Sequence, residues 1–171
     1  MQYYFDKVLD LGKDAGRSYA TVPNLAMMLG MFAGGWIADR LQRRFGHRLG
    51  RALVPTVGMV GGALFLVLGL IDREPIWAVC CFSVAMAAVG ASEGPFWTTA
   101  IELGGPRGAT AAGIFNTGGN VGGLLAPVVT PLLSNSLGLG WQGGFSLASV
   151  FCVLGAIVWL WIDPAERIEK S

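Results

Sequence analysis

The sequence predicts an all-α membrane protein with five transmembrane helices and a short N-terminal stub. Of the 171 residues, 53% are hydrophobic and only 13% are charged, whereas soluble domains carry about 25% charged residues. Five segments each hold about 20 or more mostly apolar residues, which is the length that a helix needs to cross a bilayer. The charges are concentrated between these segments. A soluble fold would have too little polar sequence left to cover its surface.

The predicted spans cover residues 18–38, 52–71, 76–103, 110–133 and 143–162, in chain order. The stub, residues 1–17, is aromatic and apolar at its start but too short to cross a bilayer, and we interpret it as the outer end of an earlier span and a loop. Residues 163–171 form a polar tail. The stub and the odd number of spans indicate that the chain is part of a longer protein.

The charges predict the orientation of the spans. Five arginines lie between the first and second spans, and the positive-inside rule places this connection in the cytoplasm. Alternation then puts residues 72–75 outside, residues 104–108 inside and the C-terminus in the cytoplasm, with eight of the twelve Lys and Arg residues inside. We expect an integral membrane protein of the plasma membrane, the inner membrane of a bacterium. The net charge of +1 gives no indication of nucleic-acid binding.

Polar residues divide the spans into two groups. The second and fifth spans are almost wholly apolar and can face lipid. The first contains Asn24, the third Glu93 and Trp97, and the fourth Asn116 and Asn120. Because an ionised side chain in the bilayer costs on the order of 3 kcal/mol, such residues usually face a bundle interior or a wet cavity. We therefore expect the first, third and fourth spans to line a polar interior and the other two to surround them.

Glu93 is the sharpest candidate for a functional residue. It is followed by Gly94 and Pro95, and helices interrupted by glycine or proline often form the binding sites of transporters. Two interpretations are open: a site for substrate, proton or coupling cation, or a carboxylate hydrogen-bonded to a neighbouring helix. Trp97, one turn later, is either a stacking wall or a packing residue. Near the inner end of the span, Glu102 is expected at the interface or paired with a cytoplasmic arginine.

The stretch "GIFNTGGNVGG" in the fourth span combines two patterns. Asn116 and Asn120 are four residues apart and share one helix face, where they bind either substrate or the next helix. The glycines form two overlapping G-x-x-x-G pairs, which allow close helix packing in membranes, and the same spacing occurs in the first and second spans. These glycines are Gly118, Gly119, Gly122 and Gly123, with Gly30 and Gly34 in the first span and Gly58 and Gly62 in the second.

Other chemistry finds little support in the sequence. The three cysteines match neither a zinc site nor a disulfide framework, and no nucleophile–base pair indicates an enzyme. The glycine-rich stretch follows no strand and precedes no phosphate-binding lysine, so a nucleotide site is not indicated. We therefore expect no catalytic residue, no metal and no organic cofactor. His47, within the arginine-rich connection, is expected to be solvated.

The connection after the first span, "GGWIADRLQRRFGHRLGR", resembles the G-x-x-x-D-R-x-G-R-R loop motif of the major facilitator superfamily. Gln42 stands where the motif has its second glycine. The resemblance implies a cytoplasmic loop whose aspartate, here Asp39, helps to hold one conformation closed. The matching residues are Gly35, Asp39, Arg40, Arg43 and Arg44.

The stretches "EGPFWTTAIEL" and "RGATAAGIFNTGGNVGGLLAPVVTPLL", followed by "GWQGGFSL", resemble spans ten to twelve of the anion:cation symporter branch of this superfamily. The resemblance implies that residues 1–171 are most of the C-terminal helical bundle, with spans eight to twelve present. It also implies proton- or cation-coupled transport of a small organic anion by alternating access, with the N-terminal half as partner and no activity for the fragment alone. The alternative is a five-span assembly protein or channel subunit that pairs with a separate N-terminal half.

Overall fold

The computed structural model describes residues 4–133 and 140–162, and within these ranges every regular element is helical. A short π-helix at Tyr4–Val8 precedes five long helices, so the predicted all-α class is confirmed, and each predicted span overlaps one helix. The helices are α1 (Lys13–Phe45), α2 (His47–Leu68), α3 (Pro75–Gly104), α4 (Gly108–Pro131) and α5 (Gly140–Trp161). A 3-10 turn at Gly105–Arg107 joins α3 to α4.

The helices have the length and composition of membrane spans. Four described segments are long and apolar enough to cross a bilayer, and one of them, Pro75–Thr130, contains both α3 and α4. The other three are Lys13–Phe45, His47–Leu68 and Gln142–Trp161. Many large apolar side chains on these helices are exposed, as expected where lipid takes the place of water.

Helix α1 extends seven residues beyond the end of the first predicted span. The residues from Asp39 to Arg44 therefore lie on the last turns of a helix and not in a loop, which corrects the expected location of the motif. Gly46 alone separates α1 from α2, with a φ of 86° that glycine adopts without strain. The motif side chains consequently follow helical spacing.

Helix α3 lies at the centre of the bundle and packs against α1, α2 and α4. Its contact with α1 is made by backbones: a Cβ added at Gly30 would collide with the backbone of Ala87, and one added at Gly34 with the backbone of Ala91. From the other side, Gly90 lies against the carbonyl of Met27. The close packing predicted for Gly30 and Gly34 is therefore confirmed.

The second predicted glycine pair also lies in a helix contact. A Cβ added at Gly58 would collide with the carbonyl of Ala88 on α3, and one added at Gly62 would come within 2.6 Å of the Val89 side chain. Small residues thus bring α2 as well as α1 against α3, as the spacing predicts.

Two prolines mark places where helices approach each other. Proline has no N–H, so the carbonyl four residues earlier loses its helical hydrogen bond. In α3, Pro95 leaves the carbonyl of Ala91 without that bond, and Gly34 lies directly against it. In α2, Pro55 does the same for Arg51, and the indole Nε1 of Trp159 on α5 donates to the Arg51 carbonyl over 3.4 Å.

The N-terminal π-helix packs into an aromatic cluster at one end of the bundle. Tyr4 and Phe5 are buried, and the ring of Tyr4 lies 5.6 Å from that of Phe82 on α3 and 5.3 Å from that of Phe145 on α5. Phe82 and Phe145 stack at 4.9 Å. The N-terminal residues from Tyr4 onward are therefore part of the same core as α3 and α5.

Helix α4 differs from the other helices because its middle is exposed over more than three turns. Residues 116–128 are all exposed, on every side of the helix. Contacts occur near its ends, where Phe115 meets Trp97 at 5.2 Å and Thr130 lies against Gly144 of α5. The central turns of α4 therefore stand apart from the bundle.

Candidate functional site

Glu93 lies on α3 beside the closest approach of α1. The next residue, Gly94, faces Gly35, and a Cβ added to it would lie 3.5 Å from the Gly35 Cα. The Glu93 side chain is half-buried, and within the described residues its carboxylate has neither a hydrogen bond nor an ion pair. An acidic group held in a membrane-spanning helix without a protein partner is free to bind a proton, a cation or a ligand.

Trp97 follows Glu93 by one turn and is also half-buried. Its ring meets that of Phe115 edge-on, with centroids 5.2 Å apart and planes at 80°. Phe96 contacts the same phenyl ring at 6.1 Å. Trp97 thus packs between α3 and α4 and holds the first turns of α4 next to the part of α3 that carries Glu93.

The three asparagines lie on two different helices, Asn24 on α1 and the other two on α4. On α4, Asn116 and Asn120 are exposed, and no hydrogen bond is formed by either amide among the residues that the structure describes. The Nδ2 of Asn24 donates to the Ala20 carbonyl of its own helix over 2.9 Å. No hydrogen bond in the described chain joins any of these asparagines to Glu93, so the described residues do not connect them into one polar site.

The glycines of α4 do not make the close contact that their spacing predicts within this chain. No atom of a neighbouring helix in the described ranges lies within 4 Å of a Cβ added at any of the four positions, and all four residues are exposed. The described residues supply no neighbour for this face, so the expected tight packing of these glycines stays a prediction. The physical reason is that a small-residue face permits close packing but needs a second helix, and the described bundle leaves this face empty. The four residues are Gly118, Gly119, Gly122 and Gly123.

A charged cluster joins the ends of α2 and α3. Nη2 of Arg51 lies 2.6 Å from Oε1 of Glu102, and the arginine side chain is only 11% exposed. On the other side, Nε2 of His47 lies 3.1 Å from Oε2 of the same carboxylate. The predicted pairing of Glu102 with an arginine of the connection is confirmed, and the arginine is Arg51.

His47 does not have the solvated position expected from the sequence. Besides Glu102, its Nδ1 lies 2.6 Å from the Gln42 side-chain nitrogen, and 38% of the side chain remains exposed. The expectation was wrong because the connection is a single residue, so that α2 already begins at His47. Once that start is known, helical spacing places His47 and Arg51 on one face. The sequence signal is the i, i+4 pair itself.

The motif arginines form none of the ion pairs of this cluster among the described residues. The guanidinium of Arg40 lies 4.8 Å from the centroid of the Trp36 ring, and that of Arg44 lies 5.5 Å from the centroid of the Phe45 ring. Arg43 is exposed, and Asp39 is exposed without an ion pair in the described part of the chain. Any contact that Asp39 makes to hold a closed conformation therefore involves groups other than these.

Comparison with known proteins assigns the chain to a family. Residues 20–171 match the family described as the Major Facilitator Superfamily. The "Probable sulfoacetate transporter SauU" of Cupriavidus necator is 28% identical over 89% of this chain and 35% of its own length. The "Probable anion transporter 4, chloroplastic" of Oryza sativa subsp. japonica is 26% identical over 98% of this chain and 28% of its own. The "D-galactonate transporter" of Escherichia coli O6:H1 is 29% identical over 86% and 34%.

The chain spans about a third of the length of these relatives, all three of which are named as transporters of small solutes and not as enzymes. The family match covers nearly the whole chain, and the described helices have the length and composition of membrane spans. This chain is an integral membrane protein that belongs to the Major Facilitator Superfamily.

Proposed function

We propose that the chain is most of the C-terminal half of a secondary active transporter for small organic anions, coupled to a proton or another cation. In such a protein two halves rock about a site near the middle of the membrane. The observation that carries the proposal is the Glu93 carboxylate, held within a membrane-spanning helix without a partner among the described residues. The names of the relatives support an anionic substrate, since sulfoacetate and galactonate both carry negative charge.

Glu93 fits the coupling role better than direct contact with an anion. An ionised carboxylate repels an anionic substrate, whereas a protonated one does not, so the uptake of a proton at Glu93 would favour binding of the anion nearby. The amide groups of Asn116 and Asn120 can donate hydrogen bonds to such an anion. Trp97 sets the spacing of the two helices that carry these groups, because it packs against Phe115.

The N-terminal half of the transporter is the partner that we infer for α4. The middle of α4 exposes glycines and asparagines together with large apolar side chains such as Leu124 and Val128, which are 75% and 66% exposed. Glycine faces allow helix backbones to approach, and amides bond across helices in membranes. The same surface would form one wall of the central cavity when the second half is present.

The membrane orientation follows from the arginine-rich end of α1. We propose that this end and the C-terminus are cytoplasmic, in the inner membrane of a bacterium, because Lys and Arg are retained on the cytoplasmic side. The connection between α2 and α3 then lies outside.

The coupling role can be tested in the whole transporter reconstituted in vesicles. Glu93→Gln, which resembles the protonated acid, should abolish accumulation of sulfoacetate or galactonate driven by a pH gradient, while exchange of labelled anion across the membrane persists. Glu74→Gln is the matched control, since Glu74 is an exposed acid that precedes the same helix. Normal gradient-driven uptake by Glu93→Gln, or loss of exchange together with uptake, would rule out the coupling role.

The orientation can be tested by single cysteines at the two ends of α3 in a background without the native cysteines. Arg107→Cys and Glu74→Cys are both exposed positions. An impermeant thiol reagent added to intact cells should label the cysteine at position 74 and not the one at position 107. The reverse pattern would invert the proposed topology.

A further inference from the structure

The C-terminal end of α1, which carries the motif arginines, forms a basic pocket on its surface. This pocket, here called the arginine pocket, has a volume of about 410 Å³. Its lining contains three arginines and no acid, and all of its residues come from the described last turns of α1. The lining residues are Trp36, Ile37, Arg40, Leu41, Arg43 and Arg44.

The three guanidinium groups have no anionic partner within the described chain. Arg40 lies over the ring of Trp36 and Arg44 near the ring of Phe45, but no carboxylate of the described residues forms an ion pair with any of the three. Asp39 is not among the lining residues and forms no ion pair in the described part of the chain, although it lies one turn before Arg43. The pocket therefore brings three guanidinium groups together, with no acid in its lining, at a helix end.

An apolar groove runs directly from the arginine pocket along the bundle. It has a volume of about 480 Å³ between α1, α2 and α3, and every lining side chain is apolar. Ile37 and Leu41 line both the pocket and the groove, so the two are continuous. On the α2 side the groove is bounded by Leu53, Val57 and Phe65.

We propose that the pocket and groove together bind an anionic phospholipid, with the phosphodiester headgroup on the arginines and one acyl chain in the groove. Arginine matches the charge and geometry of phosphate oxygens. The basic pocket suits the anionic headgroup and the apolar groove suits a hydrocarbon chain. The pocket and the groove are continuous, as the headgroup and acyl chain of a lipid are. Trp36, which is 62% exposed, lines the pocket, and tryptophan is enriched at the membrane interface where lipid headgroups lie.

A free anion or a peptide fits this surface less well. A soluble anion would use the arginines and leave the groove empty, and it gains nothing from the groove's apolar walls. A polar peptide would have to bury unpaired backbone groups in the groove, which is costly in hydrocarbon surroundings. The surface also lies on α1, α2 and α3, whereas the exposed asparagines and glycines that we assign to the contact with the N-terminal half lie on α4.

The test uses the purified chain in neutral detergent, with native mass spectrometry to count lipids retained from an equal mixture of phosphatidylglycerol and phosphatidylcholine with identical acyl chains. Phosphatidylglycerol should be retained in preference. Arg44→Gln should weaken its binding about fivefold, and removal of all three arginines about a hundredfold. Arg44→Lys keeps the charge and should retain most of the binding. Arg107→Gln is the matched control, an exposed arginine outside the pocket.

A second variant tests the groove independently of charge. Gly61→Leu places a side chain in the groove, and its Cβ would meet only the Ala88 side chain at 3.8 Å, an ordinary contact, so the bundle should still fold. This variant should weaken retention of the long-chain lipid and leave binding of glycerophosphoglycerol, the headgroup without acyl chains, unchanged. Far-UV circular dichroism checks that each variant keeps its helices.

Several results would overturn the proposal. Equal retention of the two lipids, or an equal effect of Arg107→Gln and Arg44→Gln, would show only diffuse attraction. Competition by inorganic phosphate at the same concentration as the lipid would show a free-anion site. Full retention of the long-chain lipid by Gly61→Leu would show that the groove does not bind the acyl chain. Release of the lipid on assembly with the N-terminal half would assign the surface to protein contact. None of these outcomes depends on whether Glu93 couples transport.

Discussion

The α1–α3 contact and the exposed surface of α4 use glycine at the same spacing with opposite outcomes. On α1, Gly30 and Gly34 lie against the backbone of α3 so closely that no side chain would fit. On α4, Gly118 and Gly122 have the same i, i+4 spacing, yet a Cβ added at either would have no neighbouring helix of the described ranges within 4 Å. The local sequence pattern is the same, and only the presence of a second helix differs.

This difference shows that a small-residue face specifies how closely a helix can be approached but not by which helix. The face of α1 has a partner with matching features, because α3 presents alanines there and Pro95 leaves the carbonyl of Ala91 without its own helical bond. The face of α4 has the permissive glycines without the partner. We propose that this surface contacts the N-terminal half of the transporter.

The largest effect on the free energy of unfolding is expected at the α1–α3 contact. Here Gly34→Ala can be compared with Gly35→Ala, one residue later. The methyl group at position 34 would collide with the backbone of α3, and we expect a loss of about 3 kcal/mol in the free energy of unfolding. At position 35 nothing lies within 4 Å of the new Cβ, so the better helix propensity of alanine should stabilise the chain by up to about 1 kcal/mol. Unfolding of the purified chain by sodium dodecyl sulfate, followed by circular dichroism, measures both.

Similar stabilities for these two variants would contradict the distinction between the packed position 34 and the open position 35. That outcome would mean that the α1–α3 contact relaxes around a methyl group and is not fixed by backbone approach.

The next effect concerns the ion pair that joins α2 to α3 in the packed region. Arg51→Met leaves the Glu102 carboxylate without its 2.6 Å partner, and we expect the chain to lose about 2 kcal/mol of unfolding free energy. The double variant Arg51→Met, Glu102→Leu should recover part of this loss, since no unpaired charge remains. Arg107→Met, directly before the exposed helix α4, is the control and should change the free energy of unfolding by less than about 0.5 kcal/mol.

An equal loss of unfolding free energy for Arg51→Met and Arg107→Met would contradict the distinction between the packed α2–α3 contact and the exposed start of α4. A double variant as unstable as the sum of the two single variants would instead show that the two side chains are not coupled.

The sequence predicted the helices well because hydrocarbon thickness sets a minimum apolar length for each of them. Helix ends were predicted less well, since a helix continues through charged residues once it leaves the bilayer, as α1 does through Arg44. The pairing of Glu102 could be predicted from charge alone. Its partner, Arg51, and the third member, His47, could not, because they depend on where α2 begins.

The sequence could predict which residues are candidates for the site, but not which of them contact one another. Glu93 stands out in the sequence because an acid is costly in a membrane helix, and the structure leaves it without a partner in the described ranges. Periodicity could not say whether Asn116 and Asn120 meet another helix, since contact between helices depends on how far apart their axes lie. The open position of α4 is a property of the whole bundle and has no local sequence signal.

A smaller effect of opposite sign is expected on the open face. Gly118→Ala and Gly122→Ala should each stabilise the isolated chain by about 0.5–1 kcal/mol, because alanine has the higher helix propensity and meets no neighbouring atom there. The same two substitutions should weaken assembly with the N-terminal half, measured by co-purification of the two halves. Destabilisation of the isolated chain would show that α4 already packs through these glycines.

The smallest effect is expected for an amide on the other side of α4. Asn120 is exposed and has no hydrogen bond in the described chain, so Asn120→Leu should change the unfolding free energy by less than about 0.5 kcal/mol in detergent. In the assembled transporter the same substitution should reduce binding of the anion, measured by isothermal titration, because the cavity would lose a hydrogen-bond donor. A loss above about 1 kcal/mol in the isolated chain would mean that the amide has a partner within it. The glycine and asparagine positions of α4 would then serve folding of this half and not its assembly with the other.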